Sequence, residues 1–233
     1  MGDIIPMVAI VDYGLGNLFS VKQACTFAGL SSIITNSRKD ILDADAVILP
    51  GVGAYGDAML TLCRLDLVHV LRDIVETPKP LVGICLGLQL LMTESYEYGC
   101  HKGLGIIEGP VVKFDAPKER ERILKVPHIG WNRIFQPVNG LWWHETLLDR
   151  IDEGEHMYFV HSYVIQPQDS NLILSTSRYG NIEFCSSIQH HNVFACQFHP
   201  ERSGPKGLQI YHNLANGLKK IKNSKNHHQT ERT

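Results

Sequence analysis

The sequence carries no C-x-x-C pair, no apolar run long enough for a bilayer and no marked excess of either charge. Each lack closes off a class of protein. Six cysteines lie at 25, 63, 85, 100, 185 and 196. Without C-x-x-C spacing, in a chain of this size, reduced thiols are expected rather than a disulfide or zinc framework. The longest apolar stretches are strand-length, so no membrane span is expected. The opening Met1-Gly2-Asp3-Ile4-Ile5-Pro6 lacks the basic region and extended apolar core of a secretory signal, which makes a cytoplasmic location the expectation. A net charge of −2 and a pI near 6.6 give no reason to expect nucleic acid or an anionic membrane as partner. No internal repeat and no inter-domain linker appears. The 233 residues, 44% of them hydrophobic, suffice for one domain with a sizeable core.

The first half alternates strand and helix signals. Met7–Val11 is a buried-strand run, and 17–29 reads as a helix stopped by Gly29. Strands follow at Ser32–Thr35 and Ala46–Leu49, then one helix from about 57 to 75. Leu81–Cys85 is the next strand and Leu86–Glu94 its helix. This order predicts an α/β fold with parallel strands and crossover helices, and the uninterrupted apolar strands fit a sheet covered on both faces. From Lys102 the pattern changes. Glycines 103, 105 and 109 with Pro110 punctuate a loop, and strand candidates crowd together: Val111–Phe114, His128–Phe135, Met157–Ile165, Leu172–Ser177, Glu183–Ile188 and Val193–Phe198. A helix over Gly207–Ile221 closes the domain, expected to span 1–222. The charge run Asp115–Arg122 reads as a solvated turn. The polar, basic stretch 223–233 is expected to be a disordered tail, with His227-His228 an inert end rather than a metal pair. No metal or cofactor site is expected.

The chemistry concentrates at Gly83-Ile84-Cys85-Leu86-Gly87. Glycines two residues either side of a nucleophile allow a sharp strand-to-helix turn, which projects the side chain at the head of a sheet. Free N–H groups and the dipole of the following helix favour a thiolate there. A lone cysteine is more often packing than catalysis, and Cys25, Cys63, Cys185 and Cys196 take that reading. Cys85 differs because a second signature, Phe198-His199-Pro200-Glu201, lies downstream. In an extended segment residues two apart share a face, so His199 and Glu201 can meet, and Pro200 biases His199 away from the helical region. Thiol, imidazole and orienting carboxylate are the parts of an activated-nucleophile enzyme. Gly51-Val52-Gly53-Ala54-Tyr55-Gly56 matches a dinucleotide fingerprint but sits in a later βα unit, and the next strand ends in Cys85 instead of an acid. Nucleotide binding is rejected; the loop can instead offer backbone N–H groups to an oxyanion. Asp12-Tyr13-Gly14-Leu15-Gly16-Asn17 reads equally well as a tight βα turn. Gln89 and Glu97 fall four and twelve residues past Cys85, Gln89 about one helical turn on.

With these segments the chain resembles the class I (triad) glutamine amidotransferases over Val8 to about Leu218. It is most similar to the glutaminase subunits of imidazole glycerol phosphate synthases. Gly83–Gly87 with Gln89 and Gln197-Phe198-His199-Pro200-Glu201 mark the superfamily. Pro50-Gly51-Val52-Gly53 and Pro127-His128-Ile129-Gly130-Trp131-Asn132 narrow it, and Asp12-Tyr13-Gly14-Leu15-Gly16-Asn17 and Val160-His161-Ser162-Tyr163 are further markers. The resemblance implies Cys85, His199 and Glu201 as the triad, and an oxyanion hole from Leu86 N–H and the Val52–Gly53 backbone. It implies that Gln89, Glu97, His161, Ser162 and Tyr163 hold the amino-acid end of L-glutamine. It further implies a flavodoxin-like, mixed, mostly parallel sheet flanked by helices. The implied partner is a (β/α)8-barrel cyclase, which takes ammonia through an internal channel and makes imidazole glycerol phosphate in histidine biosynthesis. The triad alone leaves two other readings open: ammonia supply to a surface-sugar amidation pathway, and a γ-glutamyl hydrolase or peptidase. A flavodoxin-like scaffold without activity would predict a damaged triad, whereas all three residues are present.

Overall fold

The structure, a computed structural model, describes residues 5–138 and 141–230, with side chains to 223. The extreme termini, including Met1–Ile4 of the opening segment, and the His227-His228 side chains lie outside the described residues. The elements begin with β1 (Met7–Val11), α1 (Leu18–Phe27), β2 (Ser31–Thr35), α2 (Arg38–Asp43), β3 (Ala46–Gly51) and α3 (Tyr55–Arg64). Then come α4 (Leu67–Val75), β4 (Leu81–Cys85) and α5 (Leu86–Leu90). Strands dominate afterwards: β5 (Met92–Ser95), β6 (His101–Lys102), β7 (Ile107–Lys113), β8 (Lys118–Glu119), β9 (Arg122–Ile123) and β10 (His128–Arg133). The last are β11 (His156–His161), β12 (Tyr163–Ile165), β13 (Ile173–Tyr179), β14 (Ile182–His190), β15 (Val193–Cys196) and the closing helix α6 (Gly204–Thr230).

The main sheet has seven strands in the order β13-β14-β15-β4-β3-β1-β2. From β2 to β15 all pairings are parallel, and β14 and β13 add an antiparallel edge. Successive side chains on a strand point to opposite faces, so two cores form. Val8 and Ile10 of β1 pack with Val21 and Ala24 of α1 and Leu214 of α6, while Ala9 and Val11 pack with Leu62 of α3 and Leu71 of α4. Every residue of β3 and β4 is buried, as a doubly covered centre requires. The expected mixed, mostly parallel, helix-flanked sheet is what the chain forms. A four-stranded sheet, β12-β7-β5-β6, and a β10–β11 ribbon complete the second half.

Several boundaries differ from the sequence expectation, each for a local reason. The helix expected over 57–75 is two helices, split where Asp66 takes a left-handed φ of 55°. Helix α2 was hidden in a polar stretch but has a working cap, Ser37 accepting from Asp40 N at 3.3 Å. The helix expected to reach Glu94 stops at Leu90, because Met92–Ser95 pairs with β7 and β6 instead. The single strand expected over Met157–Ile165 breaks at Ser162, since β11 pairs β10 whereas β12 pairs β7. The Asp115–Arg122 charge run holds the exposed β8–β9 hairpin. Helix α6 continues to Thr230, past the end expected at Ile221 and into the stretch expected to be disordered; after Gly217 no glycine or proline stops it.

The contact of α5 with β3 is made at Gly87, where an added Cβ would lie 1.8 Å from Leu49 O. Neither backbone has room to retreat at the sheet centre. Gly87→Ala is therefore expected to lower stability by roughly 2 kcal/mol or more, read as a reduced urea midpoint; an unchanged midpoint would contradict this packing.

Candidate active site

Cys85 ends β4 with φ 55° and ψ −107°, and α5 begins at the next residue. Non-glycine residues in such sparsely populated regions cost of order 1–3 kcal/mol and persist only where the surroundings enforce them. Here pairing on both sides does so: Gly51 of β3 is opposite Cys85, and Cys196 of β15 is opposite Ile84. The flanking glycines act through space rather than through positive φ, for a Cβ at Gly83 would also meet Ala195 Cβ at 2.9 Å. The residue is only 5% exposed.

His199 follows β15 in an extended conformation, and Pro200–Arg202 forms a single 3-10 turn. The expected pairing of His199 with Glu201 is present, though a tight turn rather than an extended segment makes it. His199 Nδ1 lies 2.8 Å from Glu201 Oε1, with the two side chains 4% and 1% exposed. The turn is pinned to β11: His199 N donates to Tyr158 O at 2.9 Å, and Ser203 Oγ accepts from Tyr158 N and donates to His199 O. Burial on its own lowers the His199 pKa. The nearby Cys85 sulfur in its ionised form, then the Glu201 carboxylate, outweigh it and lift the pKa to about 10. With its proton still on sulfur, Cys85 donates to Val160 O at 3.8 Å, and His199 Nε2 has no hydrogen-bond partner among the described residues.

A cleft of about 430 Å³ opens over the sulfur. Val52, Gly53, Cys85, Leu86, Gln89, Glu97, His161, Ser162 and Tyr163 all line it. His199 and Glu201, whose side chains are buried, do not line it. The structure thus gathers the expected nucleophile, oxyanion and substrate residues in one place. A larger groove of about 770 Å³ beside β8 and β13 has no cysteine or histidine in its lining. Leu86 opens α5, where the first N–H groups have no intrahelical partner, and Gly53 takes a φ of 104°, a conformation that glycine adopts without steric cost.

Individual side chains are more committed than the sequence suggests. Glu97 Oε2 accepts from Tyr55 N at 2.6 Å and so caps α3, leaving Oε1 for a ligand. Gln89 donates both amide protons internally, to Tyr163 O at 3.1 Å and to Gln197 Oε1 at 3.0 Å, and so offers a ligand its oxygen. His161 spends both ring nitrogens: Nδ1 donates to Tyr163 O at 2.9 Å and Nε2 accepts from His128 Nδ1 at 3.1 Å. Burial holds both imidazoles neutral, His128 pushed down to about 4 and His161 to about 3. His161 therefore offers the cleft its ring face and backbone.

Among the residues lining the cleft, Arg202, which also covers the Tyr158 ring at 5.4 Å, carried no interpretable signal, whereas Pro127 and Val160 stand in segments that carry the resemblance. Tyr13, in the segment whose reading as a tight βα turn is at least as good as a functional one, donates its hydroxyl to Pro50 O at 2.7 Å. Its aromatic identity inside a glycine-rich turn was the available clue.

Residues 9–218 match the glutamine amidotransferase class-I family, and the chain belongs to that family. Within it, the chain is 43% identical over 215 residues to the imidazole glycerol phosphate synthase subunit HisH of Aquifex aeolicus, covering 91% of this chain and 97% of that one. It is 42% identical over 211 residues to the protein of the same name from Thermosynechococcus vestitus, covering 90% and 96%. Among solved structures it is similar to PurLQS from Thermotoga maritima (TM-score 0.69, 20% identity, 92% and 100% covered). It also superposes on the glutaminase domain of CTPS from Trypanosoma brucei (TM-score 0.63, 16% identity, 93% and 94% covered).

Two pH effects follow. Between about 6.5 and 10 the folded chain binds the His199 proton that the unfolded chain releases, so this contribution is complete below 6.5 and is lost as pH rises through 10. His128 and His161 act oppositely: the unfolded chain binds their protons first, so stability falls as pH drops from about 6.5 toward 4 and 3. Urea midpoints across pH should fall on both sides, and NMR titration of His199 should move to lower pH in Cys85→Ala. A His199 titration indifferent to Cys85 would contradict the pairing.

Proposed function

We infer that the chain is the glutaminase subunit of an imidazole glycerol phosphate synthase. It hydrolyses the side-chain amide of L-glutamine and supplies ammonia for a step of histidine biosynthesis. Glutamine enters the cleft with its amino-acid end toward Glu97, Gln89 and the Ser162–Tyr163 backbone, and its carboxamide over Cys85. The Cys85 sulfur, having given its proton to His199, attacks the carboxamide carbon. The oxyanion is met by Leu86 N–H and a donor from the Val52–Gly53 peptide. His199 passes its proton to the departing nitrogen, ammonia leaves, and a glutamyl thioester remains. Water then attacks, His199 takes its proton, and the C–S bond breaks with its electron pair returning to sulfur. Glu201 stays ionised and holds the imidazole throughout.

The observation that carries this reading is the 2.8 Å contact of His199 Nδ1 with Glu201, which turns Nε2 to the sulfur side at the floor of the cleft. The chain works as one component of a synthase. Its partner is a (β/α)8-barrel cyclase that docks over the cleft mouth. The outer face of β10 suits such docking, with Ile129 and Trp131 60% and 56% exposed. No described helix is long and apolar enough to cross a membrane, and all six cysteines are free, which suits a reducing cytoplasm. Losing one oxyanion donor costs about 10²–10³ in turnover, so the Val52–Gly53 peptide is a natural control point for a partner.

Cys85→Ala is expected to abolish glutamine-dependent synthesis by the complex while leaving synthesis from added ammonium intact. Glutamine hydrolysis persisting in that variant would sink the assignment.

A further inference from the structure

Gln197, fully buried just past the end of β15, takes no part in the steps above. Its amide nitrogen lies 3.6 Å from Cys85 Sγ, and its oxygen 3.0 Å from Gln89 Nε2. The two ends of a carboxamide are distinguished by their partners rather than by shape, and here the partners decide. The Tyr163 carbonyl oxygen can only accept. Gln89 must therefore turn its –NH2 group to it, at 3.1 Å, and that group's second proton then points at Gln197. The facing atom of Gln197 is accordingly its oxygen, which leaves its –NH2 group against the sulfur. Reversing Gln197 would set two –NH2 groups together and an oxygen lone pair against Sγ. The second lone pair of the Tyr163 oxygen is occupied by His161 Nδ1–H at 2.9 Å, so the anchor of the chain is saturated.

We propose that Gln197 is a further catalytic residue, whose amide N–H donates to the Cys85 sulfur and stabilises its negative charge, with Gln89 and the Tyr163 carbonyl dictating that polarity. The inference rests on Cys85 being the nucleophile. Hydrogen bonds to a charged acceptor are about twice as strong as neutral ones, so the donor favours the thiolate over both the thiol and the thioester. It acts twice in the cycle. Before attack it holds the anionic sulfur once Val160 O no longer receives its proton. In thioester breakdown it receives the departing sulfur as the C–S electron pair returns to it.

Two variants separate the parts of this arrangement. Gln197→Glu keeps an oxygen toward Gln89 and replaces the donor at the sulfur with an acceptor. Gln197→Met keeps the bulk and removes both contacts. Iodoacetamide labelling of Cys85 in the full chain, followed by mass spectrometry across pH, is combined with glutamine turnover in the complex. Both variants should label roughly 10-fold or more slowly at neutral pH, with profiles displaced to higher pH and kcat reduced. KM for glutamine should rise only in Gln197→Met, where Gln89 loses its acceptor. If burial of a carboxylate prevents Gln197→Glu from folding, the Met variant's labelling profile decides. Wild-type labelling and turnover in a folded variant would overturn the role of Gln197 while leaving Cys85 as nucleophile. A Cys85 that labels no faster than Cys63 and Cys100 in the unaltered chain would remove the underlying assignment as well.

Discussion

The site depends on one pairing arrangement, β4 held in parallel register between β3 and β15. That register sets Gly51 beside Cys85 and Cys196 beside Ile84. Three segments distant in sequence therefore leave the sheet at the same edge: the Gly51–Gly53 loop, the Cys85 turn and the His199 turn. Loop-forming residues near such an edge can reach one another with little chain. The strained backbone at Cys85 is tolerated because the two neighbouring strands and the Gly87–Leu49 contact leave it no alternative.

Around that edge the electrostatics divide sharply. His199 lies between a carboxylate and a sulfur that, once ionised, together overcome its burial and favour its protonated form. His161 and His128, equally buried, have no anion facing them and stay neutral. The same residue type thus does opposite work within one layer of side chains. A protonated His199 is suited to giving a proton to a leaving nitrogen, while a neutral His161 can link Tyr163 O to His128 without adding repulsion.

Much of this was legible in the residues. The apolar runs around Val8, Ile48 and Val82 declared doubly covered strands, and the glycines around Cys85 declared a close turn. Where the reading failed, a tertiary partner had overridden the local pattern. Leu88 to Met92 looks helical in isolation, yet Met92 joins β7. Met157–Ile165 looks like one strand, yet its halves pair with different neighbours. The site's residues were legible as a set because their motifs are compact. Their hydrogen-bond commitments were not: that Glu97 caps a helix, or that His161 has no free nitrogen, follows only from which atoms lie opposite them in space.

The Glu97 cap carries a consequence of its own. The carboxylate that fastens the first turn of α3 through Tyr55 N also borders the cleft. Whatever cation reaches its second oxygen competes with, or reinforces, a support of the scaffold. Recognition and architecture are thus welded at one side chain, and any change there alters the shelf as well as the object resting upon it.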